Sequence, residues 1–250
     1  MNSLNTYLYV ISEIKKLGFK NISFSELNLK EKKEKSPVFI IRHDVDRFNK
    51  FAIEMAKNEK KKSIKSIYFF RKKFLNNNNL KIFLKLGHEV GLHHEFLSVF
   101  KNRKNLIKKE INIISDIFTN LFKNKKKIIY NAHGAPFSRY NNFAYKINDK
   151  KYLNFCDDVD WNGFYYVTDV GGKWGFSKFN RRDYLKNAKN IIIEQGLNNQ
   201  ELINFIKKNK VNKIVISAHP ERWPKNELNA MGYYIFDKLI NLLKKFLIKN

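Results

Sequence analysis

The chain has 250 residues, of which 43% are hydrophobic and 15% aromatic, so it has enough apolar side chains for a sizeable core and is not a disordered protein. A single cysteine, Cys156, excludes an intramolecular disulfide and is typical of a reducing compartment. The formal net charge of +26 is common among proteins that bind nucleic acids or anionic membranes. Because the lysines are spread along the whole chain and no aromatic-plus-basic module is recognisable, we attribute the charge to a general excess of Lys and Asn and expect no specific nucleic-acid partner.

The beginning of the chain, residues 2–13, lacks a positively charged start and an uninterrupted apolar stretch, so we do not expect a signal peptide. No stretch approaches the roughly 18 apolar residues of a membrane span. A cytoplasmic protein without a transmembrane segment is therefore expected. Its positive field would attract an anionic substrate, such as a nucleotide sugar or a glycolipid phosphate.

Helical periods and short apolar runs alternate along the chain. The first predicted helix begins after Ser3, a candidate N-cap, and ends at Gly18, and a linker rich in Lys and Glu covers residues 30–36. Further predicted helices lie near residues 48–55, 80–86, 105–122 and 199–208, with a C-terminal helix from about Asn226. The predicted strands are residues 38–41, 66–70, 89–92, 127–130, 164–167 and 213–217, and residues 134–162 are expected to be irregular.

This alternation predicts an α/β fold in which helices cover a parallel sheet. No internal repeat or long linker divides the chain, so we expect a single domain over residues 1–250, with residues 1–36 as N-terminal helix and linker and residues 226–250 as C-terminal helix. Five or more strands in one domain indicate a barrel or a doubly wound sheet, and the strand pattern alone favours neither.

Residues that are able to bind metal come directly after the predicted strands. The carboxyl ends of parallel strands lie on one face of the fold, where the sites of α/β proteins are built. Five segments should therefore converge on one rim, which would carry five of the six histidines. These segments are Arg42–Asp46, His93–Glu95, Asn131–Gly134, Thr168–Asp169 and Ser217–Pro220.

Asp44 and Asp46 are two residues apart, so both carboxylates point to the same side if the strand continues through them. Ionising both of two carboxylates that lie so close together is energetically costly unless a cation lies beside them. A divalent metal on one aspartate, with the other as a general base, gives each a role. The alternative for Asp46 is an N-cap of the following helix.

The histidines differ in what their positions predict. Adjacent residues on a strand face opposite ways, so His93 and His94 should not share a metal, while imidazole and carboxylate ligands suit zinc and similar ions. His88 lies at the start of its strand and is expected to be structural. His133 is a candidate to ligate the metal, orient a ligand or contact substrate. His219, at a strand end before a proline, is the candidate general acid for a leaving amine.

The order and spacing of these motifs resemble the polysaccharide deacetylase superfamily (carbohydrate esterase family 4). The stretch Arg42-His43-Asp44-Val45-Asp46 looks like the family's first motif, in which the first aspartate is the base and the second binds metal. Gly87–His93 looks like the lead into the second motif, whose first histidine is a ligand. His219-Pro220 resembles the final motif, which carries the acid histidine, and Asp169 with Trp174 is similar to the motif that orients it. The resemblance also includes strand 66–70 and covers residues 37–224.

Two positions depart from the family pattern. The second motif of the family has another histidine at the position of Leu97, so the third metal ligand is open, with Glu95 and His133 as candidates. The arginine that supports the base also lacks a match. Arg42 and Arg139 are the candidates for that role, and we place Arg139 in the predicted site.

The resemblance implies a distorted (β/α) barrel of about seven parallel strands. It also implies a divalent metal, with Zn²⁺ expected, on Asp46, His93 and either His133 or Glu95, and a reaction that removes an N-acyl group, with N-acetyl expected, from an amino sugar. Residues 133–140 and 219–223 look like a branch found with surface-polysaccharide biosynthesis genes. Because no export signal is expected, the substrate should be cytoplasmic, a nucleotide-linked or lipid-linked amino sugar rather than a finished wall polymer. Two alternatives stay open: a hydrolase of a non-sugar amide or ester, and a non-catalytic carbohydrate-binding or assembly protein. The pattern leaves the oligomeric state undetermined.

Overall fold

The structure is a computed structural model that describes residues 3–27, 36–123, 126–170, 173–175, 182–191 and 196–226, together with positions 228–229, 231–233, 235–236 and 239. The helices are α1 (Leu4–Lys16), α2 (Asn49–Lys61), α3 (Asn77–Lys85), α4 (Phe96–Phe100), α5 (Lys104–Phe122) and α6 (Asn199–Lys208). The strands are β1 (Lys20–Asn21), β2 (Val38–Val45), β3 (Ser66–Phe70), β4 (Glu89–His94), β5 (Ile128–Ala132), β6 (Tyr152–Asn154), β7 (Tyr165–Val170), β8 (Lys173–Trp174), β9 (Lys189–Asn190) and β10 (Lys213–Ala218).

The N-terminal helix is confirmed, with the cap and the stop that the sequence predicts. The Ser3 side chain accepts from the backbone N–H of Thr6, and the Thr6 side chain accepts from the backbone N–H of Ser3, which satisfies free donors of the first turn. Gly18 follows the helix with a φ of 88°, a conformation that favours glycine. The predicted linker lies outside the described residues except for Ser36.

Seven parallel strands form the central sheet, in the order β6-β5-β4-β3-β2-β10-β7. Strand β8 is antiparallel to β7, while the short strands β1 and β9 pair in parallel with β2 and β7. Among the described residues no strand pairing joins β6 to β7, β8 or β9, so the sheet is open on that side.

The alternation of side chains along β2 separates an interior from an outer surface. Val38 and Ile40 belong to an apolar cluster shared with β3, β7 and β10, whereas Phe39 and Ile41 pack in another cluster with α1 and α6. Because side chains alternate with period two, Asp44 lies on the interior side and His43 on the helix side. The interior is therefore apolar at its base and polar at the rim where the strands end.

Glycine at position 91 lets the strands approach each other closely below the rim. A Cβ at Gly91 would lie 2.7 Å from the backbone oxygen of Ile129 and from the ring of Phe69, so a larger residue would require its neighbours to move. Gly91 precedes His93 by two residues, which places both on the interior side of β4. The close packing of three strands thus fixes the position from which His93 reaches the rim.

The predicted fold class is confirmed as α/β with a parallel central sheet, and the shared interior cluster favours the barrel-like arrangement over a doubly wound sheet. Strand β6 lies in the stretch that the sequence predicts to be irregular, and α4 directly follows His94. The described positions between 228 and 239 are helical, as predicted, and the rest of the predicted C-terminal helix falls outside the described residues. In the part of the chain that the structure describes, no helix has both the length and the apolar character needed to cross a membrane.

Candidate active site

Three metal-competent side chains meet at the rim: Asp46 directly after β2, His93 in β4 and His133 directly after β5. Asp46 Oδ1 lies 3.3 Å from His93 Nε2, and Asp46 Oδ2 lies 3.6 Å from His133 Nε2. One donor atom from each of the three residues lies within 4.8 Å of the other two. We call these three residues the rim cluster.

The chemistry of the rim cluster fits a divalent metal ion. One carboxylate and two imidazoles are a ligand set suited to Zn²⁺ and to similar ions. Asp46 Oδ1 is buried and has no hydrogen-bond partner among the described residues, which is costly for a charged oxygen. Burial favours protonation of Asp46, but His133 and His93 outweigh burial and hold its pKa well below the usual range. A bound cation would stabilise this ionised oxygen, which has His93 Nε2 3.3 Å away but accepts no hydrogen bond among the described residues.

His133 carries the proton that a metal would have to displace. Burial lowers the pKa of His133, but the carboxylates of Asp46 and Glu95 outweigh burial and raise it to about 9. Without an ion, His133 is therefore an imidazolium at neutral pH. Since a metal binds only neutral imidazole, occupation of the rim cluster must release this proton.

Glu95, a predicted metal-ligand candidate, does not belong to the rim cluster. Its two oxygens accept from Arg71 Nε and Nη2, both at 2.6 Å, and its Oε1 lies 3.2 Å from His133 Nδ1. Arg71 Nη1 also donates to the backbone oxygen of Asp46 at 3.0 Å. Both oxygens of Glu95 thus accept from Arg71, and its role as a metal ligand stays a prediction.

Asp44 lies beside the rim cluster and is held by a buried arginine. Arg42 donates to both oxygens of Asp44, at 3.0 and 2.6 Å, and Asn131 donates to Oδ1 at 3.3 Å. Burial raises the pKa of Asp44, but the Arg42 guanidinium and His93 together bring it below the usual range. Asp44 is thus an ionised carboxylate, and its Oδ2 lies 3.9 Å from His93 Nε2.

The arginine that supports Asp44 is Arg42, and the prediction of Arg139 in this role is wrong. Arg139 is exposed and donates to the hydroxyl of Tyr140 at 3.0 Å. Arg42 is 1% exposed and also contacts Asp183 at 3.2 Å. The period of two along β2 explains the outcome, because it places Arg42 and Asp44 on the same interior side.

His219 and Asp169 form a second pair, at the ends of β10 and β7. His219 Nδ1 lies 2.6 Å from Asp169 Oδ1, and the backbone N–H of His219 donates to Asp169 Oδ2 at 2.9 Å. Trp223 Nε1 also donates to Asp169 Oδ2, at 2.6 Å. With Nδ1 facing the carboxylate, the Nε2 of His219 faces the rim cluster and lies 3.9 Å from Asp46 Oδ2.

The raised pKa of His219 is suited to a group that donates a proton. Burial and the nearby Arg222 lower the pKa of His219, but the Asp169 and Asp46 carboxylates outweigh them and raise it. The imidazole therefore keeps its proton to a higher pH than a free histidine would. Asp169 holds the ring in one orientation, and Trp223, which donates to Asp169, stacks on Trp174 with 5.1 Å between the ring centres.

The remaining histidines lie away from the rim cluster. His94 stacks on Phe96 on the opposite side of β4, and burial lowers its pKa to about 3, so it is a neutral core histidine. His43 and His88 contact Glu59 of α2, with Tyr7 and Tyr68 as further partners. We call these five residues the Glu59 cluster: Glu59, His43, His88, Tyr7 and Tyr68.

One residue near the site is missed by the sequence argument. Glu221 follows Pro220 in the turn after β10, is 2% exposed, and its Oε2 has no hydrogen-bond partner among the described residues. Burial and the Asp46 carboxylate raise the pKa of Glu221 to about 7. A glutamate in an exposed-looking Pro-Glu-Arg stretch gives no signal of this burial.

Comparisons with known proteins assign no function to this chain. No protein-family model and no curated protein matches the chain. Two solved structures align with it: the peptidoglycan deacetylase PdaC from Bacillus subtilis and a mutant of that enzyme, each at 12% identity and each covering 86% of this chain and 98% of the other. Their TM-scores are 0.38 and 0.39, values too low to support a functional argument.

Proposed function

We propose that the protein is a metal-dependent hydrolase that removes an N-acyl group, with N-acetyl expected, from an amino sugar. The observation that carries the proposal is the position of the rim cluster between two polar groups. The ionised carboxylate of Asp44 lies on one side, and the imidazole of His219, oriented by Asp169, lies on the other. Asp44 and His219 approach the cluster within 3.9 Å of His93 Nε2 and Asp46 Oδ2, respectively. This arrangement provides a base and an acid on two sides of one metal site.

Each side chain has a role that follows from its charge. Asp46, His93 and His133 hold the ion. When bound, a divalent ion lowers the pKa of a water and polarises the amide carbonyl. Asp44 accepts the proton of the attacking water because its carboxylate is ionised. Among the described residues, its oxygens accept hydrogen bonds only from Arg42 and Asn131. His219 donates a proton from Nε2 to the departing amine, and Asp169 stabilises the imidazolium before that transfer.

The proposed substrate is an amino sugar linked to a nucleotide or a lipid phosphate, in the biosynthesis of a surface polysaccharide. The net charge of +26 supports an anionic substrate, because a positive field raises the local concentration of anions. The stretches 133–140 and 219–223, whose resemblance suggests this branch, both lie at the rim, at His133 and at His219.

The non-catalytic alternative loses its main support. It depends on Leu97, which stands where the related family has a second metal-binding histidine. His133, from the next strand, supplies a third donor within 4.8 Å of Asp46 and His93, so a three-residue site does not require a histidine at position 97.

The proposed function is tested with protein purified without chelator and loaded with Zn²⁺. Release of acetate and formation of a free amine are followed on a nucleotide-linked N-acetylamino sugar and on a lipid-linked one. We expect turnover by the wild type and by Arg139→Gln, a surface control, and loss of turnover in Asp44→Asn. Metal-loaded wild-type protein that leaves both substrates intact would contradict the proposed reaction.

A further inference from the structure

The helical segment at the C-terminus presents apolar side chains to solvent. Leu228, Met231, Ile235 and Leu239 are 74%, 46%, 51% and 55% exposed, respectively. Their spacings of three and four residues place them on one face of a helix. An exposed apolar stripe of this kind is characteristic of a surface that is covered by a partner.

This stripe borders a groove, because Leu228 belongs both to the stripe and to the groove wall. The groove has a volume of about 380 Å³, and its walls include Arg47, Phe48, Tyr233 and Phe236. The Arg47 guanidinium lies 4.4 Å from the centre of the Phe236 ring, and the Phe48 and Phe236 side chains are 42% and 44% exposed. Arg47, in the groove wall, directly follows Asp46 of the rim cluster along the chain.

The charge of the protein indicates which partner covers the stripe. A second copy would also carry a net charge of +26 over its whole chain, and this charge repulsion opposes self-association. The sequence from 238 to 250 contains four lysines and no acidic residue. An apolar helix face in a basic protein is the arrangement that binds the surface of an anionic bilayer, where apolar side chains enter the interface and lysines contact the headgroups.

We propose that the C-terminal apolar face, defined by Leu228, Met231, Ile235 and Leu239, binds the surface of an anionic lipid bilayer. Binding in this orientation brings the groove at Arg47 and the rim cluster to the bilayer, where a lipid-linked substrate would be located. The binding itself goes beyond the proposed hydrolase function and does not depend on it, because it requires neither metal nor turnover.

The test measures co-sedimentation of the full chain with vesicles at 150 mM salt. Vesicles of phosphatidylcholine with phosphatidylglycerol are compared with vesicles of phosphatidylcholine alone. The double variant Leu228→Glu/Ile235→Glu removes the apolar face, and Leu106→Glu/Ile113→Glu makes the same chemical change at two exposed positions of α5, which are 39% and 41% exposed. Both variants change the net charge equally, so a difference between them reports the apolar face.

We expect the wild type to bind the anionic vesicles and not the neutral ones. The partition coefficient should fall at least about tenfold in Leu228→Glu/Ile235→Glu and about twofold or less in Leu106→Glu/Ile113→Glu. Circular dichroism and thermal unfolding show whether both variants are folded. Equal losses in the two variants would overturn the proposal, as would an absence of wild-type binding. A wild-type dimer in sedimentation that Leu228→Glu/Ile235→Glu dissociates would assign the face to a second copy instead.

Discussion

The rim cluster and the Glu59 cluster each combine one carboxylate with two histidines, yet they differ in the hydrogen bonds of that carboxylate. In the Glu59 cluster, Glu59 accepts from Tyr7 at 2.6 Å and from Tyr68 at 2.7 Å, and His43 Nε2 lies 2.8 Å from its Oε1. No side-chain nitrogen or oxygen of this cluster lacks a partner among the described residues. In the rim cluster, Asp46 Oδ1 has none.

This difference distinguishes the Glu59 cluster from the rim cluster, which is the proposed metal site. A buried carboxylate whose donors are all supplied by the protein gains nothing from an ion, whereas one with an unpartnered oxygen does. His43 and Asp44 are adjacent in β2 and belong to different clusters, because successive side chains point to opposite sides of the strand. Residue type therefore does not distinguish the two clusters, whereas the hydrogen bonds of their carboxylates do.

The largest expected effect is on turnover, from a change at the base beside the rim cluster. Asp44→Asn keeps the size of the side chain but removes its proton-accepting charge, so the rate should fall by about 10²–10⁴ while the metal is retained. Rate measurements and metal analysis on the same preparation check both parts. An unchanged rate would move the base elsewhere, with Glu221 as the next candidate, because burial beside Asp46 raises its pKa to about 7.

The next effect is on stability, from a change in the Glu59 cluster. Glu59→Gln leaves the buried His43 without its carboxylate, and we expect a loss of about 3 kcal/mol in the free energy of unfolding. Zn²⁺ affinity should be unchanged, since Glu59 lies behind the sheet and not at the rim. Chemical denaturation and metal titration make this comparison, and a loss of metal affinity without a loss of stability would break the distinction between the two clusters.

The pH dependence of stability follows from the same residue. Burial raises the pKa of Glu59, but His43 outweighs burial and brings it from 4.5 to about 2. A lowered folded-state pKa contributes stability that is fully present above pH 4.5 and is lost as the pH falls toward 2. At acidic pH, the free energy of unfolding should therefore depend less on pH in Glu59→Gln than in the wild type.

A smaller effect is expected where a carboxylate orients a ligand without binding the metal. Glu95→Gln removes the charge beside His133 and one partner of Arg71, and Zn²⁺ affinity should fall about 10–100-fold without loss of the site. Arg71→Lys should give part of this loss, because lysine lacks the two-pronged contact with Glu95. If Glu95→Gln abolishes binding entirely, Glu95 is a ligand after all.

The smallest expected effect is the number of protons released when Zn²⁺ binds. Because the metal-free pKa of His133 is raised to about 9, Zn²⁺ binding near pH 7 should release about one proton. Apparent affinity should consequently increase with pH up to about 9 and then level off. Calorimetry in buffers of different ionisation enthalpy measures the proton, and release of none would mean that His133 is neutral or does not bind the ion.

The sequence predicts where the candidate site lies in the fold better than it predicts which side chains contact one another within the site. The carboxyl ends of strands in one parallel sheet carry all five of these residues, so their meeting at one rim follows from topology: Asp44, Asp46, His93, His133 and His219. The choice of Arg42 over Arg139, and the pairing of Arg71 with Glu95, depend on side-chain contacts between different elements, which local pattern does not contain. Strand β6 is missed because three residues, Tyr152–Asn154, form no apolar run.

The Glu59 cluster is the clearest example of what local pattern hides. Glu59 lies in a stretch of helix rich in Lys and Glu, which is typical of a solvated surface, yet it is 0% exposed. Its partners come from α1, β2, β3 and the start of β4, so its burial is a property of the assembled fold. The position of His88 at the start of its strand predicts a structural role, and its place in this cluster agrees with that.

The central claim, that Asp46, His93 and His133 hold one divalent ion, is tested most directly by Zn²⁺ titration of metal-free protein. The wild type and Glu59→Gln should each bind one ion per chain, while Asp46→Asn and His93→Ala should bind it at least about 100-fold more weakly, since each loses a ligand. Wild-type affinity in both Asp46→Asn and His93→Ala would contradict the claim.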